Sequence, residues 1–161
     1  MADFSILVPE ETTNYIKNPS FRFDTTEWNA DGSGIFRRLH HARFGIASLE
    51  VITNGGVVRE GVWYRTNAFS ATSSTMTASA YVRGVGHIRL RLIDNFPDRT
   101  HVSSKEVVLE PDRWQRISIS GRVTDSNDVR IYLETYGTTP QATTFYVDGV
   151  QLELKPYVTT Y

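Results

Sequence analysis

The sequence predicts an all-β protein: a single domain folded as a two-sheet antiparallel β-sandwich of the jelly-roll type. Apolar and polar residues alternate with a period of two, which is typical of strands that bury one face. Glycine- and asparagine-rich turns separate these segments at intervals of about 8–12 residues, as in sandwiches and jelly rolls. No segment shows a convincing helical periodicity. A chain of 161 residues can bury a core large enough to be stable without disulfides.

The alternating segments are predicted as strands in chain order. In the segment 87–94, Ile88, Leu90 and Leu92 fall on one face, and Arg89 and Arg91 fall on the other. The predicted strands are 48–53, 77–83, 87–94, 115–119, 129–133 and 144–153. The turn signals between or before them are 31–34, 54–56, 84–86, 125–128 and 137–140.

Composition excludes several classes of function. The formal net charge is −1 with no long run of one sign, so we expect no broad basic face for nucleic acid. The chain has no cysteine, which excludes disulfides, thiolate catalysis and cysteine-ligated zinc. No apolar run approaches the 18 or so residues that a membrane helix needs, and the N-terminus does not resemble a secretory signal. We therefore expect neither nucleic acid nor membrane as a partner.

Four short motifs occur in a fixed order along the chain. They are Asn14-Tyr-Ile-Lys-Asn-Pro-Ser-Phe21 followed by Trp28, Ala78-Ser-Ala-Tyr-Val-Arg-Gly84, Arg113-Trp-Gln-Arg116, and Thr144-Phe-Tyr-Val-Asp-Gly-Val-Gln-Leu-Glu153 followed by Tyr157. This ordered set resembles the jelly-roll carbohydrate-binding module family, a galactose-binding-like β-sandwich, in the version found in phage tail and other virion structural proteins. The resemblance covers about residues 14–157. It divides the chain into an N-terminal arm (1–13), the jelly roll (14–155) and a C-terminal tail (156–161).

The resemblance implies two facing sheets, one of them able to hold a saccharide, and often a structural calcium ion. In the family, a carboxylate after the opening Phe and an Asp on the last strand help to bind the metal. Here Arg22 stands at the first position, and a guanidinium supplies no oxygen ligand. Asp148 with Asp24 is therefore the candidate calcium site, and the alternative is an ion pair of Arg22 with Asp148 or a nearby acid. We expect no other cofactor.

Aromatic side chains are the first candidates for sugar contact, because a sugar ring packs its C–H face on an aromatic face. Trp63 and Tyr64 are adjacent on a predicted strand and must point to opposite faces, so one of them is expected to face outward. Trp28 and Trp114 are expected to be packing residues, since tryptophans are usually well buried.

A polar face is predicted on the strand that begins at residue 129. Ile131 and Leu133 are expected to point inward, which directs their neighbours outward together with the arginines of 87–94. Such a face fits a groove for a polar ligand, and equally a solvated surface with cross-strand ion pairs such as Arg91 with Glu134. The candidate glycan-binding residues are Trp63, Tyr64, Arg89, Arg91, Tyr132, Glu134 and Tyr136.

Catalysis is the less favoured interpretation. Glu50, Asp94, Glu134 and Asp148 include possible glycosidase pairs, but no local motif combines two acids with a nucleophile or a metal. The adjacent His40 and His41 do not have the spacing of a zinc hydrolase. We therefore predict that the protein is not an enzyme and has no catalytic residues.

The function predicted from the sequence is that of a non-catalytic accessory protein on the surface of a virion, in a phage capsid decoration or tail, binding host-surface glycan. One alternative is a purely structural decoration or assembly protein, whose arm and tail contact other virion proteins or further copies in a homo-oligomer. Another is the accessory carbohydrate-binding module of a secreted glycoside hydrolase, which would be extracellular.

Overall fold

A computed structural model describes residues 12–67, 74–94, 96–99, 101–124 and 128–161. Within these ranges the chain forms ten β-strands and no helix, and therefore no helix that could cross a membrane. Residues 1–11, which make up most of the predicted N-terminal arm, lie outside the described residues. The strands are β1 (Trp28–Asp31), β2 (Ser33–Leu39), β3 (Ala47–Thr53), β4 (Gly61–Thr66), β5 (Ser74–Gly84), β6 (His87–Asp94), β7 (His101–Val108), β8 (Gln115–Val123), β9 (Val129–Thr135) and β10 (Thr144–Glu153).

The strands form two five-stranded sheets, and all the pairings are antiparallel. The front sheet has the order β1-β4-β9-β6-β7, and the back sheet has the order β2-β3-β10-β5-β8. Neighbours in each sheet are mostly distant in sequence, as expected when the chain crosses between two layers. The predicted two-sheet jelly-roll sandwich is confirmed.

The core fills the space between the two sheets. Ile88, Leu90 and Leu92 of β6 belong to it, as their alternation predicted. The back sheet contributes apolar residues from β3, β5 and β10, among them Leu49 and Val82. Burial of these apolar faces is the main favourable contribution to folding.

A buried aromatic group closes one end of the core. Trp28 packs between Phe21 and Tyr64, with ring centroids 5.4 and 5.3 Å apart. The indole Nε1 donates to the carbonyl of Asn18 at 3.1 Å, so its polar atom is satisfied. The prediction that Trp28 is a packing residue is confirmed.

The C-terminal tail predicted at 156–161 packs on the outer side of the back sheet. The Arg116 guanidinium donates to the Thr159 carbonyl at 2.7 Å, and the Thr159 hydroxyl donates to Glu153 at 2.6 Å. The Tyr161 ring lies 4.4 Å from the ring of Phe44. These contacts attach the tail to the sandwich and cover part of the back sheet.

Candidate ligand-binding site

The strand register brings the predicted glycan-binding residues together on the outer face of the front sheet. Trp63 of β4 lies opposite Tyr132 of β9, which lies opposite Arg91 of β6. Two residues further along β9, on the same face, Glu134 lies opposite Arg89. Directly opposed residues in antiparallel strands share a face, so these side chains form one continuous surface.

Alternation along β9 is as predicted, but the outward residues are not exposed. Ile131 and Leu133 are 1% and 0% exposed and belong to the core, while Tyr132 and Glu134 on the other face are 6% and 1% exposed. The sequence predicted that the last two face outward, either in a ligand groove or on a solvated surface. They are covered because long arginine and aromatic side chains on neighbouring strands lie over them.

Glu134 is the centre of an arginine–carboxylate network. Nε of Arg89 donates to Oε1 of Glu134 at 2.6 Å, and Nη2 of Arg91 donates to Oε2 at 2.8 Å. The cross-strand ion pair of Arg91 with Glu134, predicted as the alternative to a ligand groove, is confirmed. Burial lowers the pKa of Arg91 and the Glu134 charge raises it, but an arginine stays protonated in proteins.

An aromatic platform adjoins this network. The rings of Trp63 and Tyr132 stack with centroids 6.1 Å apart and an interplanar angle of 27°. The Arg91 guanidinium lies 4.8 Å from the Tyr132 ring, and that of Arg130 lies 4.7 Å from the Trp63 ring. Arg130 is itself fixed by Asp128, whose Oδ1 accepts from its Nε at 2.7 Å. Guanidinium groups on both sides hold the rings in place.

Two open clefts lie on this face. The first, of about 470 Å³, is lined by Arg59, Arg89, Thr135, Tyr136, Gly137 and Thr138. The second, of about 410 Å³, is lined by Glu27, Asn29, Trp63, Arg65 and Asn67. Both volumes lie in the range of small-molecule sites, roughly 300–1,000 Å³. The Trp63–Tyr132–Arg91–Glu134–Arg89 surface together with these clefts is called the front-face site below.

The loop before β4 belongs to the site, although the sequence analysis assigned it only as a turn. The buried carboxylate of Glu60 accepts the backbone N–H groups of Gly55, Gly56 and Val57 at 2.8, 2.8 and 3.0 Å. Burial alone raises the pKa of Glu60, but these hydrogen bonds outweigh it and the pKa is lowered. The fixed loop carries Arg59 to the first cleft. The sequence feature that could have indicated this loop is the Asn54-Gly-Gly56 turn followed by an acid, Glu60, four residues later.

Of the two tyrosines Tyr64 and Tyr136, both predicted as binding residues, only the second lies at the site. Tyr64 was predicted as a binding residue, but its ring is fully buried in the core and its hydroxyl accepts the backbone N–H of Lys17 at 3.1 Å. It is therefore not available to a ligand, and Trp63 is the outward member of the pair. Tyr136 lines the first cleft, with the Arg89 guanidinium 5.6 Å from its ring.

The predicted calcium residues serve two different segments of backbone. Asp148 accepts the N–H groups of Arg43 and Phe44 at 2.7 Å each, and that of its neighbour Gly149. Asp24 is exposed and accepts the Thr26 N–H at 3.0 Å.

These backbone contacts satisfy the Asp148 carboxylate. Arg22 is exposed and lies beside the ring of Phe23. The alternative ion pair of Asp148 with Arg22 is therefore not formed. No group of three His, Cys, Asp or Glu side chains in the described part of the chain is placed to hold a metal. Calcium takes six to eight oxygen ligands, including backbone carbonyl oxygens, and a calcium site at Asp24 and Asp148 stays a prediction.

The four acids considered for catalysis are each held by partners other than a second acid. Glu50 pairs with Arg38 at 3.0 Å and accepts the Tyr146 hydroxyl at 3.1 Å. Asp94 accepts the backbone N–H of Thr124 at 2.9 Å. Glu134 binds two arginines, and Asp148 binds backbone amides. These contacts give each acid a structural role.

Comparison with known proteins gives matches at the level of structure. No family model and no curated protein matches the sequence. The xylan-binding domain CBM22-1 of Paenibacillus barcinonensis Xyn10C superposes with a TM-score of 0.69 at 16% identity, covering 87% of this chain and 94% of that domain.

Two further structures have the same fold. The C-terminal family 22 carbohydrate-binding module of Clostridium thermocellum Xyn10B superposes with a TM-score of 0.70 at 18% identity, covering 91% of this chain and 97% of that one. The enzymatically active domain of tailspike protein 4 of bacteriophage CBA120 superposes with a TM-score of 0.70 at 7% identity, covering 88% of this chain but 21% of that one. The chain has the jelly-roll fold of carbohydrate-binding modules.

Proposed function

We propose that this protein is a non-catalytic glycan-binding module that holds a polysaccharide along the front-face site. The observation that carries the proposal is the stacked pair of Trp63 and Tyr132, flanked by guanidinium groups and by a cleft at each end. An extended sugar chain needs such a combination of aromatic surface and planar hydrogen-bonding groups. The site lies on rigid strands, so little is lost in ordering it on binding.

Trp63 contributes the apolar contact. Its ring is partly exposed, whereas Tyr132 beneath the network is almost fully buried. A sugar ring stacked on Trp63 would place its hydroxyl groups beside the arginines, which donate in a fixed planar geometry. Tyr132 then supports the Trp63 ring by stacking against it.

The structural neighbours support a polysaccharide as the ligand. The Paenibacillus domain is described as xylan-binding, and the ligand binding of the Clostridium module is attributed to amino acids in its cleft. The same fold carrying an aromatic and polar cleft makes glycan binding the function that best fits this chain. At identities of 16% and 18%, the sugar bound by this chain has to be inferred from the residues of its own site and not from the neighbours.

For the biological setting, we propose the surface of a phage particle, with host-surface glycan as the target and other virion proteins or further copies of this chain as assembly partners. The resemblance of the sequence motifs to virion proteins and the likeness to a tailspike domain support this setting. Attachment to a glycoside hydrolase is the alternative, and the neighbouring xylanase modules favour it. Mass spectrometry of purified phage particles and of secreted proteins distinguishes the two settings. The first setting predicts that the protein is found in the particles, and the second predicts that it is found among the secreted proteins.

Replacing the exposed aromatic ring tests the proposed function. Trp63→Ala should weaken glycan binding at least tenfold, because it removes the stacking surface, whereas Phe36→Ala should leave it unchanged. Phe36 is a matched control, being 51% exposed and located on β2 of the back sheet. The measurement is isothermal titration against a panel of neutral and acidic oligosaccharides at millimolar concentration.

Two outcomes would contradict the proposal. Equal loss of binding in Trp63→Ala and Phe36→Ala would place the ligand elsewhere. Absence of binding by the unaltered protein across the whole panel would favour the purely structural role in a virion.

A further inference from the structure

The front-face site carries more positive than negative charge around its first cleft. Arg59 and Arg89 line this cleft, and Arg91 lies beside Arg89 on β6. One carboxylate, Glu134, is paired with Arg89 and Arg91. Glu60, the acid next to Arg59, is already bound to three backbone amides. Backbone amides are neutral, so Glu60 keeps its negative charge, and three guanidinium groups against two carboxylates leave a surplus of one positive charge here. The described residues that line the first cleft itself include Arg59 and Arg89 and no acid.

Two further acids on the same face lie on the edge strands and do not line the first cleft. Asp31 lies on the edge strand β1 opposite Gly61, and Glu106 lies on the edge strand β7 opposite Arg89. Both are exposed to solvent, where water and salt screen their charges. The lining of the first cleft therefore remains positive.

Arg91 has a buried donor without a partner next to the cleft-lining Arg89. The residue is only 9% exposed, and among the described residues its Nε has no hydrogen-bond partner. A buried donor without an acceptor costs free energy, and a charged one costs more.

Arg59 is the accessible member of the cluster. It is exposed, it lines the first cleft with Arg89 and Tyr136, and it forms no salt bridge with any residue that the structure describes. Its charge and that of Arg89 both lower the pKa of Arg91, so the three guanidinium groups repel one another. A bound anion would relieve this repulsion.

Resting on the proposed function, we infer that the glycan is acidic and that a carboxylate-bearing sugar, a uronic acid residue, occupies the cleft formed by Arg59, Arg89 and Tyr136. The carboxylate would accept from the guanidinium groups of Arg59 and the adjoining arginines while its ring contacts Tyr136. Glu134 shows the fit within the protein itself, since its two oxygens are held by Arg89 and Arg91. Planar guanidinium forks match carboxylate geometry closely.

The test compares two ligands with the same sugar backbone, one carrying carboxylates and one carrying neutral methyl esters. Isothermal titration of the intact protein with hexagalacturonate and with its fully methyl-esterified form should give at least a tenfold preference for the acid. Raising the salt from 50 to 300 mM should weaken binding of the acid several-fold and leave the ester unchanged. A sulfated galactan oligosaccharide of similar length is the third ligand, and it tests whether the site prefers carboxylate over sulfate.

Substitution of the exposed arginine locates the effect. Arg59→Gln should weaken binding of the acid several-fold more than binding of the ester, and Arg59→Lys should keep part of the preference for the acid. Arg22→Gln removes the same charge from an exposed position outside the site and should change neither affinity. Because both positions are exposed, the variants are expected to fold normally.

Each remaining outcome overturns a defined part of the account. Equal binding of acid and ester at the front-face site overturns the inference and leaves the proposed glycan-binding function standing. Tighter binding of the sulfated ligand overturns the assignment to a carboxylate. Binding of no oligosaccharide overturns both the inference and the proposed function.

Discussion

Glu60, Asp148 and Glu134 are almost fully buried, and two kinds of donor hold them. Backbone N–H groups hold the first two carboxylates, and arginines on a neighbouring strand hold the third. Buried charges are tolerated when each is paired or hydrogen-bonded in this way. At the residue scale, the acids of this protein therefore fix loops or organise the site.

Glu60 gives a pH-dependent prediction. Its folded pKa is lowered, so the folded state binds this proton more weakly than the unfolded state does. Its contribution to stability is therefore present above the unfolded pKa of about 4.3 and is lost as the pH falls through the folded pKa. We expect Glu60→Gln to lower the melting temperature at pH 7 by about 2–4 °C, corresponding to roughly 1 kcal/mol of lost hydrogen bonding.

The measurement is thermal unfolding of both proteins between pH 2.5 and 7. The difference between the unaltered protein and Glu60→Gln should shrink as the pH falls below about 4.3, the ordinary value for a glutamate. A difference that grows on acidification would contradict the lowered pKa of the folded state.

Trp63 and Tyr64 show how far the orientation of single residues could be predicted from the sequence. The sequence established that the two point to opposite faces, and one of them does lie in the core. Which one is buried depends on how β4 pairs with β1 and β9, and that pairing joins residues far apart in sequence. Local alternation does not contain this information.

At the scale of elements, the close pairing of β4 with β9 positions the site. A Cβ at Gly61 would lie 2.1 Å from the Leu133 carbonyl oxygen and 2.6 Å from the Glu134 Cα. Only glycine allows the two backbones to approach this closely. Gly61 thus sets the position of Glu134 relative to the loop that carries Arg59.

Gly61→Ala should therefore destabilise the fold by about 1–3 kcal/mol, because the added methyl group meets backbone that has to move. Gly34→Ala on β2 is the control: its Cβ would meet only the ring of Phe36, which is free to turn away. Chemical denaturation of both variants measures the effect. Equal stability of the two variants would show that β4 and β9 are not packed as described.

Strand positions were predictable where the alternation was strong. The bounds of β6 and β10 agree with the predicted segments 87–94 and 144–153. β2 was not predicted, because Ser33 and Gly34 at its start were assigned to a turn, whereas the reversal occurs at Gly32, with φ of 64°. β7 was also missed, and as an edge strand it pairs with β6 alone and shows no clean burial of one face.

At the scale of the whole molecule, the two outer faces of the sandwich differ. The front sheet presents aromatic rings, guanidinium groups and two clefts, whereas part of the back sheet is covered by the chain's own C-terminal residues, including Tyr161 against Phe44. The jelly roll itself was predictable from the sequence. The sequence predicted the arginine–glutamate network only as one of two alternatives. The distance between side chains on β6 and β9 depends on how the two strands pair, and the sequence alone does not give that pairing.

Amide and indole chemical-shift mapping during titration with hexagalacturonate tests the central claim most directly. The account predicts that the largest changes fall on β4, β6 and β9 of the front sheet, including the Trp63 indole and the Arg59 amide, with little change on β2 and β3. Changes concentrated on the back sheet around Phe36 and Tyr146 would contradict it.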